Sequence, residues 1–514
     1  MVNIMNIYPD DLQRIFVDRV KFLSLMEQMK VSLKTGTREN LALLGSRRIG
    51  KSLILKEFIK QNNDKEVIIA YIDLERMDMV PELFAREYIG TIVAWYLGEG
   101  IVEDYYDLDF VLSGIRELKE PYDLVFSIKQ EMLKAKYNYA NVLRKAFQFP
   151  GILAKAADRK IIVIFDEFQD IKELNNYRLD ILKIFRSIMQ TQSGVLYMFS
   201  GSAVSFMERI FKESTSPLYL QSRIEYVDYL TREDSIELSR KILRADWNPY
   251  RVYELTAGHP YYIYSVCKRI ESMDLSDEKI VEAFVIEALT PAGRIYNLCQ
   301  YVMENSIHRA RGFSLLKSVL KIVAKEEGLR IGDVSRRINR SAGVTRNLID
   351  RLKDVDLIDE KNGDLFIADP VLRYWMVHYY FGEELTASTV QKSLTRLMNE
   401  FEEKYLRAST ELGKAKEYEL KVKLEKELGL GLDNYNKDGI EFDLVGEKNG
   451  VLHVVEIKWR NKATGYGDVA NFTDKVRQLS VENVKTYFIS KSGFTKKARD
   501  LMETSKVTDL SGVV

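Results

Sequence analysis

Cysteine is nearly missing from this 514-residue chain: Cys267 and Cys299 are the only two. Two thiols in otherwise helical-looking segments build neither a disulfide framework nor a metal cluster. Surplus charge of either sign is missing too, since 76 Lys and Arg offset 76 Asp and Glu. No global field therefore draws nucleic acid, and only local basic patches can do so. A positively charged apolar leader and an apolar run long enough to span a bilayer are both absent, which predicts a cytoplasmic protein without integral membrane association. A peripheral membrane role stays open. The sequence also lacks internal repeats and low-complexity segments, so the length is expected to divide among several domains, because single cores rarely exceed roughly 250–300 residues.

What is present begins with Gly45-Ser46-Arg47-Arg48-Ile49-Gly50-Lys51-Ser52. It follows the apolar run Leu41–Leu44 and precedes Leu53–Ile59, whose apolar spacing suits a helix. Strand, glycine loop and helix in that order form a phosphate cradle. The glycines let successive backbone N–H groups face phosphates at a helix N-terminus. Lys51 would reach the outer phosphates and Ser52 would offer its hydroxyl to Mg²⁺. The alternative is an ordinary glycine-containing loop with surface arginines.

A second apolar strand, Ile161–Phe165, ends in Asp166-Glu167. Strands buried on both faces belong to parallel sheets, which gather ligands at their C-terminal edge. There Asp166 suits Mg²⁺ positioning through water, and Glu167 suits orienting and deprotonating the attacking water. A third strand, Val195–Phe199, leads to Ser200-Gly201-Ser202, whose hydroxyls are candidates for sensing the terminal phosphate; a plain serine-glycine turn is the alternative. Arg209 and Arg223 are candidates for a charge-stabilising arginine, which an adjacent subunit of a homo-oligomer would supply. Surface solubility explains either one equally cheaply.

This combination resembles the archaeal-type AAA ATPases, within the STAND group of signal-transducing P-loop ATPases. The residues carrying the resemblance are Phe16-Val-Asp-Arg19, the loop Gly45–Ser52 with its paired arginines, Ile164–Asp170, Gly201-Ser202 and Gly258-His-Pro260. It spans roughly residues 8–290. The resemblance implies nucleotide contacts from Gly45 through Ser52 and Leu53, from Arg19 near the nucleotide entrance, and from Ser200. It further implies that His259 or Pro260 closes over the base. A serine stands at 200 or 202 where many relatives carry asparagine, and no lid arginine accompanies residue 259, which suits a switch better than a fast motor. Read without the family, Gly-His-Pro is a turn opening an aromatic-packed helix, with proline at a favoured first position.

Beyond residue 230 the pattern changes. Residues 1–230 read as the P-loop α/β core, with a helical insertion at about 78–150 that carries no clear catalytic motif. Residues 231–310 read as a helical lid. In 311–385, Ile331–Ile338, a turn, Val344–Leu352 and the hairpin signal Lys361-Asn-Gly363 resemble a winged helix-turn-helix. From Lys321 to Asp356 nine basic residues face six acidic ones. Arg336, Arg337, Arg340, Thr345, Arg346, Asn347 and Arg351 supply candidate phosphate or base-edge donors for DNA. The same module also serves for intramolecular packing.

Residues 386–514 pair strands Ile440–Val445 and Val451–Lys458 across Gly446–Gly450, after a Glu- and Lys-rich helical stretch from Phe401 to Leu428. Residues i and i+2 share a strand face, so Glu456 and Lys458 point together, with Asp443 brought beside them. Two carboxylates and a lysine suit a Mg²⁺-dependent phosphodiester site. The arrangement resembles the PD-(D/E)xK restriction-endonuclease-like modules, with Lys458 as the catalytic lysine, Asp443 and Glu456 as metal ligands and Glu403, on the preceding helix, as the additional acid; Glu441 shares Asp443's expected face and competes for the same role. Asn471 and Lys475 fall four apart on one helix face as substrate-contact candidates.

The whole is thus expected to be a multidomain α/β protein: an AAA-type P-loop ATPase core, helical lid, winged helix domain and restriction-endonuclease-like α/β domain. Its expected function is Mg²⁺-dependent ATP hydrolysis governing DNA binding and, through the C-terminal site, DNA processing. The alternative is an ATP-dependent regulatory scaffold whose C-terminal module binds DNA or protein without cleaving.

Overall fold

The computed structural model describes residues 8–62, 65–99, 103–243, 249–273, 280–310, 313–382, 420–421, 423–425, 427–437, 440–458, 463–479, 481 and 483–511. Two compact units divide the chain, residues 1–401 and 402–514.

The first unit is built on a five-stranded parallel sheet in the order β2-β3-β4-β1-β5. Its strands are β1 (Leu41–Leu44), β2 (Val67–Asp73), β3 (Lys160–Asp166), β4 (Val195–Gly201) and β5 (Arg223–Tyr226). β1 and β4 are buried at every residue, as continuous apolar runs covered on both faces should be. Parallel neighbours require crossovers. After the leading helices α1 (Asp10–Arg14) and α2 (Val20–Lys34), these are supplied by α3 (Lys51–Gln61), α4 (Pro81–Leu97), α5 (Leu108–Gly114), α6 (Lys119–Met132), α7 (Tyr139–Ala156), α8 (Ile181–Met189) and α9 (Val204–Lys212), together with short connecting turns. Helices α4 to α7 fill the span between β2 and β3. An aromatic layer that includes Tyr88, Phe147, Phe165, Phe185, Tyr197 and Phe199 knits them to the sheet. β4 separates β1 from β3, so the phosphate loop and Asp166-Glu167 emerge at the same edge with one strand between them.

Five helices follow: α10 (Arg232–Leu243), α11 (Pro249–Thr256), α12 (Pro260–Met273), α13 (Ile280–Leu289) and α14 (Arg294–Ala310). Next come α15 (Phe313–Lys325), β6 (Leu329–Arg330), α16 (Ile331–Ile338), α17 (Ala342–Lys353), β7 (Ile358–Lys361), β8 (Asp364–Ile367) and α18 (Pro370–Trp375). The turn from β7 to β8 places Asn362 and Gly363 at φ of 54° and 87°, the left-handed pair that a two-residue hairpin demands. One apolar core runs through both groups, from Leu230 to Met376. Cys267 and Cys299 are free thiols inside it, and burial pushes the Cys267 thiol up to about 12.

The second unit is a five-stranded mixed sheet, β9 (Asp433–Lys437), β10 (Ile440–Lys448), β11 (Val451–Lys458), β12 (Val484–Ser490) and β13 (Val507–Asp509). β9, β10 and β11 are antiparallel neighbours, while β11, β12 and β13 run parallel. Helices α19 (Tyr466–Gln478) and α20 (Lys496–Thr504) cover one face, where Phe442, Val454, Phe472 and Phe488 pack. Leu444, Val455, Ile457 and Ile489 pack on the other with Leu420 and Leu424. Glu403 and the side chain of Glu441 lie outside the described residues. No described helix is long and apolar enough to cross a membrane.

Candidate nucleotide site

The loop from β1 to α3 is shaped by its two glycines. A Cβ at Gly45 would sit 2.6 Å from the backbone oxygen of Val227, and Gly50 adopts φ of 102° as it starts α3. Ile49 is buried beneath the loop and Arg48 takes φ of 63° above it. The α3 N-terminus therefore faces the loop concavity, a suitable seat for phosphate. Lys51 folds into it, donating from Nζ to the carbonyls of Gly45 at 2.9 Å and Ser46 at 3.0 Å. Burial pulls its ammonium below the ordinary value, opposed by Glu167 and Asp166.

Across the edge, Asp166 is buried with both oxygens accepting: Oδ2 from the Tyr71 hydroxyl at 2.6 Å and Oδ1 from the Glu167 N–H at 3.2 Å. Glu167 stands in the left-handed region at φ of 52°, which costs a non-glycine residue about 1–3 kcal/mol and tends to mark functional positions. Its Oε2 accepts from Gln169 Nε2 at 2.6 Å, from the Ser202 N–H at 3.1 Å and from the Ser202 hydroxyl at 2.6 Å. Burial pushes this carboxyl up, but Lys51, the Ser202 and Gln169 hydrogen bonds and Arg47 together leave it below its ordinary value. A carboxylate held so firmly ionised is a weak proton acceptor and a good orienting group. Ser200 is fully buried and its hydroxyl has no hydrogen-bond partner, so Ser202 is the serine that reaches the glutamate.

The two arginines of the loop diverge. Arg47 donates to Glu75 at 2.7 Å and to the Tyr301 hydroxyl of α14 at 2.6 Å, and it reaches Ser202 Oγ at 3.4 Å. Arg48 lies over the ring of Tyr261, 5.2 Å from its centroid. Arg19 is buried and donates to the carbonyls of Ile49 at 3.2 Å and Asp228 at 2.9 Å, bracing the loop from below. His259 is buried with Nε2 3.3 Å from the carbonyl of Arg47 and its ring stacked 4.0 Å from Tyr262. Burial lowers this imidazole to about 4, so it is neutral near pH 7, and its buried Nδ1 has no partner. Pro260 opens α12 directly after it. Arg209 is ion-paired with Asp354, and Arg223 with Glu225 at 2.8 Å.

Several participants are not apparent from the sequence. Tyr71 and Asp73 end β2 beside β3, with Asp73 in register with Asp166. Burial first, then Asp166, hold the Tyr71 phenol well above its ordinary value, so it stays protonated and donates. The same two influences raise the Asp73 carboxyl. An apolar strand ending in an acid, the pattern that exposed Asp166, was available for Asp73 as well. Asp356, beyond α17, accepts at Oδ1 from the Ser205 N–H at 2.9 Å and the Ser205 hydroxyl at 2.6 Å. No local signal announces that contact.

In the segment α16 to β8, one candidate DNA donor is corrected. Thr345 is fully buried and turns its hydroxyl back to the carbonyl of Ser341 at 3.0 Å, as a helical threonine can. Asn347 and Arg340 are exposed. Arg346 is paired with Glu360 at 2.8 Å, Arg337 with Glu326 at 2.7 Å and Arg336 with Asp333 at 2.5 Å.

In the second unit, Leu444 pairs with Val455, which sets Asp443 next to Glu456. Asp443 Oδ2 accepts from the Ile457 N–H at 2.6 Å, and Lys458 Nζ lies 2.6 Å from Glu456 Oε1. Burial pulls the Lys458 ammonium down, but Glu456, Asp443 and Asp468 outweigh it and raise it. Asn471 and Lys475 both lie on α19. Among the described residues no group of three or more His, Cys, Asp or Glu is placed to hold a metal ion.

The fold and the loop geometry define a P-loop ATPase core of mixed α/β type. Residues 16–266 match the family of ATPase domains found predominantly in Archaea, and the protein is an ATPase. Among solved structures, a Walker-type ATPase of Pyrococcus abyssi is 17% identical at a TM-score of 0.46, over 70% of this chain and 96% of that one. The ORC2 protein of Aeropyrum pernix, in ADPNP–ADP complexes, is 13% identical at 0.44, over 76% and 98%. The Aeropyrum pernix ORC1 protein in complex with DNA is 11% identical at 0.36, over 76% and 96%. Comparison with curated proteins finds no match.

Proposed function

We propose that this ATPase is a nucleotide-driven switch whose state is read by the helix-turn-helix segment, which binds DNA. The observation that carries the proposal is a short piece of chain. Ser202 holds Glu167, and Ser205, three residues on, holds Asp356 of the segment after α17. A change at the terminal phosphate that moves Ser202 is thereby felt at the end of the candidate recognition helix.

The residues present fit a nucleotide. The loop Gly45–Ser52 and Leu53 cradle phosphates, Lys51 leaves its loop carbonyls to meet them, and the orphaned Nδ1 of His259 offers the base an acceptor or donor. Arg19, as a brace beneath Ile49, acts through the loop. Ser52 and Asp166 would hold Mg²⁺, which typically keeps several waters and needs few protein ligands. When bound, that ion neutralises charge on the phosphates. Glu167 orients the attacking water through its free side, Oε1, while Oε2 stays with Ser202 and Gln169.

Two substitutions separate the steps. Lys51→Ala should weaken ATP binding at least about tenfold. Glu167→Gln should keep binding and slow turnover about 100-fold, within the range of a lost base or orienting group. Normal hydrolysis in both would contradict the site. For DNA, affinity of the full chain should fall with salt, and Arg340→Ala should lower the salt slope by about one if its guanidinium neutralises a phosphate. Absence of DNA affinity near physiological ionic strength would sink the DNA half of the switch.

A second reading, metal-dependent DNA cleavage, is favoured by one observation: Asp443, Glu456 and Lys458 gather at neighbouring strands. The two carboxylates would hold the ion and Lys458 would position water or offset phosphate charge. The direct Lys458–Glu456 ion pair favours the binding-only alternative. Cleavage of single-stranded, duplex or branched DNA that disappears in Lys458→Ala while ATP turnover persists would establish the nuclease; no cleavage by the folded, metal-loaded protein would remove it.

A further inference from the structure

We propose that Tyr71 is a positioning residue for ATP hydrolysis, fixing the Asp166 carboxylate on the metal side of the site. This rests on the assignment of Asp166 to Mg²⁺.

Tyr71 lies on β2, the strand next to β3, and is only 2% exposed. In register it faces Ile164, so its long side chain reaches two residues forward along the edge to meet Asp166. The ring is clamped: strands β2 and β3 fix its backbone, and Lys56, on the helix that carries Ser52, lies over its face at 5.5 Å from the centroid. Asp166 ends a buried strand and is 3% exposed. Its two oxygens are each held by one donor, the Tyr71 hydroxyl and the Glu167 N–H. An aspartate so held keeps one orientation, and each oxygen retains an unused lone pair aimed by the donor opposite. Carboxylates that serve metals are oriented by such hydrogen bonds, and loss of the outer partner typically costs about 10–100-fold in metal affinity or activity.

Asp73, the register partner of Asp166, does not duplicate this role. Its carboxylate is committed to capping Glu75 N at 3.2 Å and to Arg76 at 3.3 Å. Tyr71 is thus the side chain from β2 that addresses Asp166 directly, and it does so through the hydroxyl alone. The ring performs the packing, so phenylalanine separates the two tasks.

The test is ATP hydrolysis by the full chain as Mg²⁺ is titrated, for wild type, Tyr71→Phe and Asp166→Asn. Tyr71→Phe should raise the Mg²⁺ concentration for half-maximal rate about tenfold. Turnover at saturating Mg²⁺ should return to within about twofold, and ATP binding in EDTA should be unchanged. A purely structural hydroxyl would lower the melting temperature and leave the Mg²⁺ requirement where it was. If Asp166→Asn shifts the requirement and Tyr71→Phe does not, the Tyr71 proposal is overturned while the Asp166 assignment survives. If neither shifts it, the Asp166 assignment falls and the proposal with it. Should Tyr71→Phe fold poorly, Mn²⁺ titration in the presence of ADP, followed by electron paramagnetic resonance on the folded fraction, decides the matter equally well: about tenfold weaker Mn²⁺ supports the proposal and unchanged affinity overturns it.

Discussion

His259 and Asp356 respond to acid in opposite senses, although burial is the cause for both. His259, neutral in the fold with its imidazole at about 4, takes up a proton more readily when unfolded, where the ordinary value is 6.5. Its neighbourhood therefore loses stability as pH falls from 6.5 through 4, on the order of 3 kcal/mol over that span for this fully buried group. Asp356 is raised from 3.8 to about 6. Its folded form binds the proton more readily, so a penalty present above pH 6 is relieved as pH falls towards 3.8. Amide protection factors in α12, corrected for the intrinsic exchange rate at each pH, should fall in acid, and His259→Gln should remove most of that sensitivity. Asp356→Asn should make the acid loss steeper, because the opposing gain is gone. Much of this site was legible residue by residue. Gly45, Gly50, Lys51, Asp166 and Glu167 sit beside their chemistry in sequence, because buried parallel strands print as apolar runs that stop at the functional edge. Ser202 against Ser200 was not legible: residues two apart share a strand face, and only the end of β4 at Gly201, which leaves Ser202 beyond the strand, decides which hydroxyl reaches the glutamate. Tyr71, Tyr301 and Asp356 reach the site from other elements, a property of packing that no local pattern carries.

At the scale of elements, the connection from β4 to α9 is the piece on which the proposed switch depends. Ser205→Ala removes the hydroxyl donor to Asp356 while keeping the N–H at the start of α9. Basal ATP turnover should stay within about twofold, whereas any change that DNA makes to that turnover should shrink; coupling equal to wild type would show that the link does not transmit. The Arg209–Asp354 pair sits beside it with side chains 31% and 47% exposed. Exposed pairs contribute about 0–1 kcal/mol, so Arg209→Ala should hardly move the melting temperature. A large loss of turnover in that variant would instead give Arg209 a part in charge stabilisation. The order of elements was readable from apolar periodicity and from Asn362-Gly363, whereas the pairing β4 with β1 was not, since strand order is set by crossovers between distant segments.

For the molecule as a whole, the shared core of α10 to α18 makes the first unit larger than its ATPase sheet. Removal of residues 402–514 should leave soluble protein that hydrolyses ATP within about threefold of the full chain. Removal of everything after residue 310 strips Leu316, Leu320, Leu352 and Trp375 from a core that includes Phe284 and Tyr296. That shorter chain should aggregate or lose cooperative melting, which sedimentation and calorimetry would register. The continuity of this core also limits what recombination can achieve. The segment α15 to α18 cannot be replaced behind α14 as a cassette from another protein, because residues that complete its core lie on α10 to α14 and would stay with the recipient. Transplantation must take α10 to α18 together, and point substitutions on the exposed side of α17 are the shorter route for selection to alter the proposed recognition.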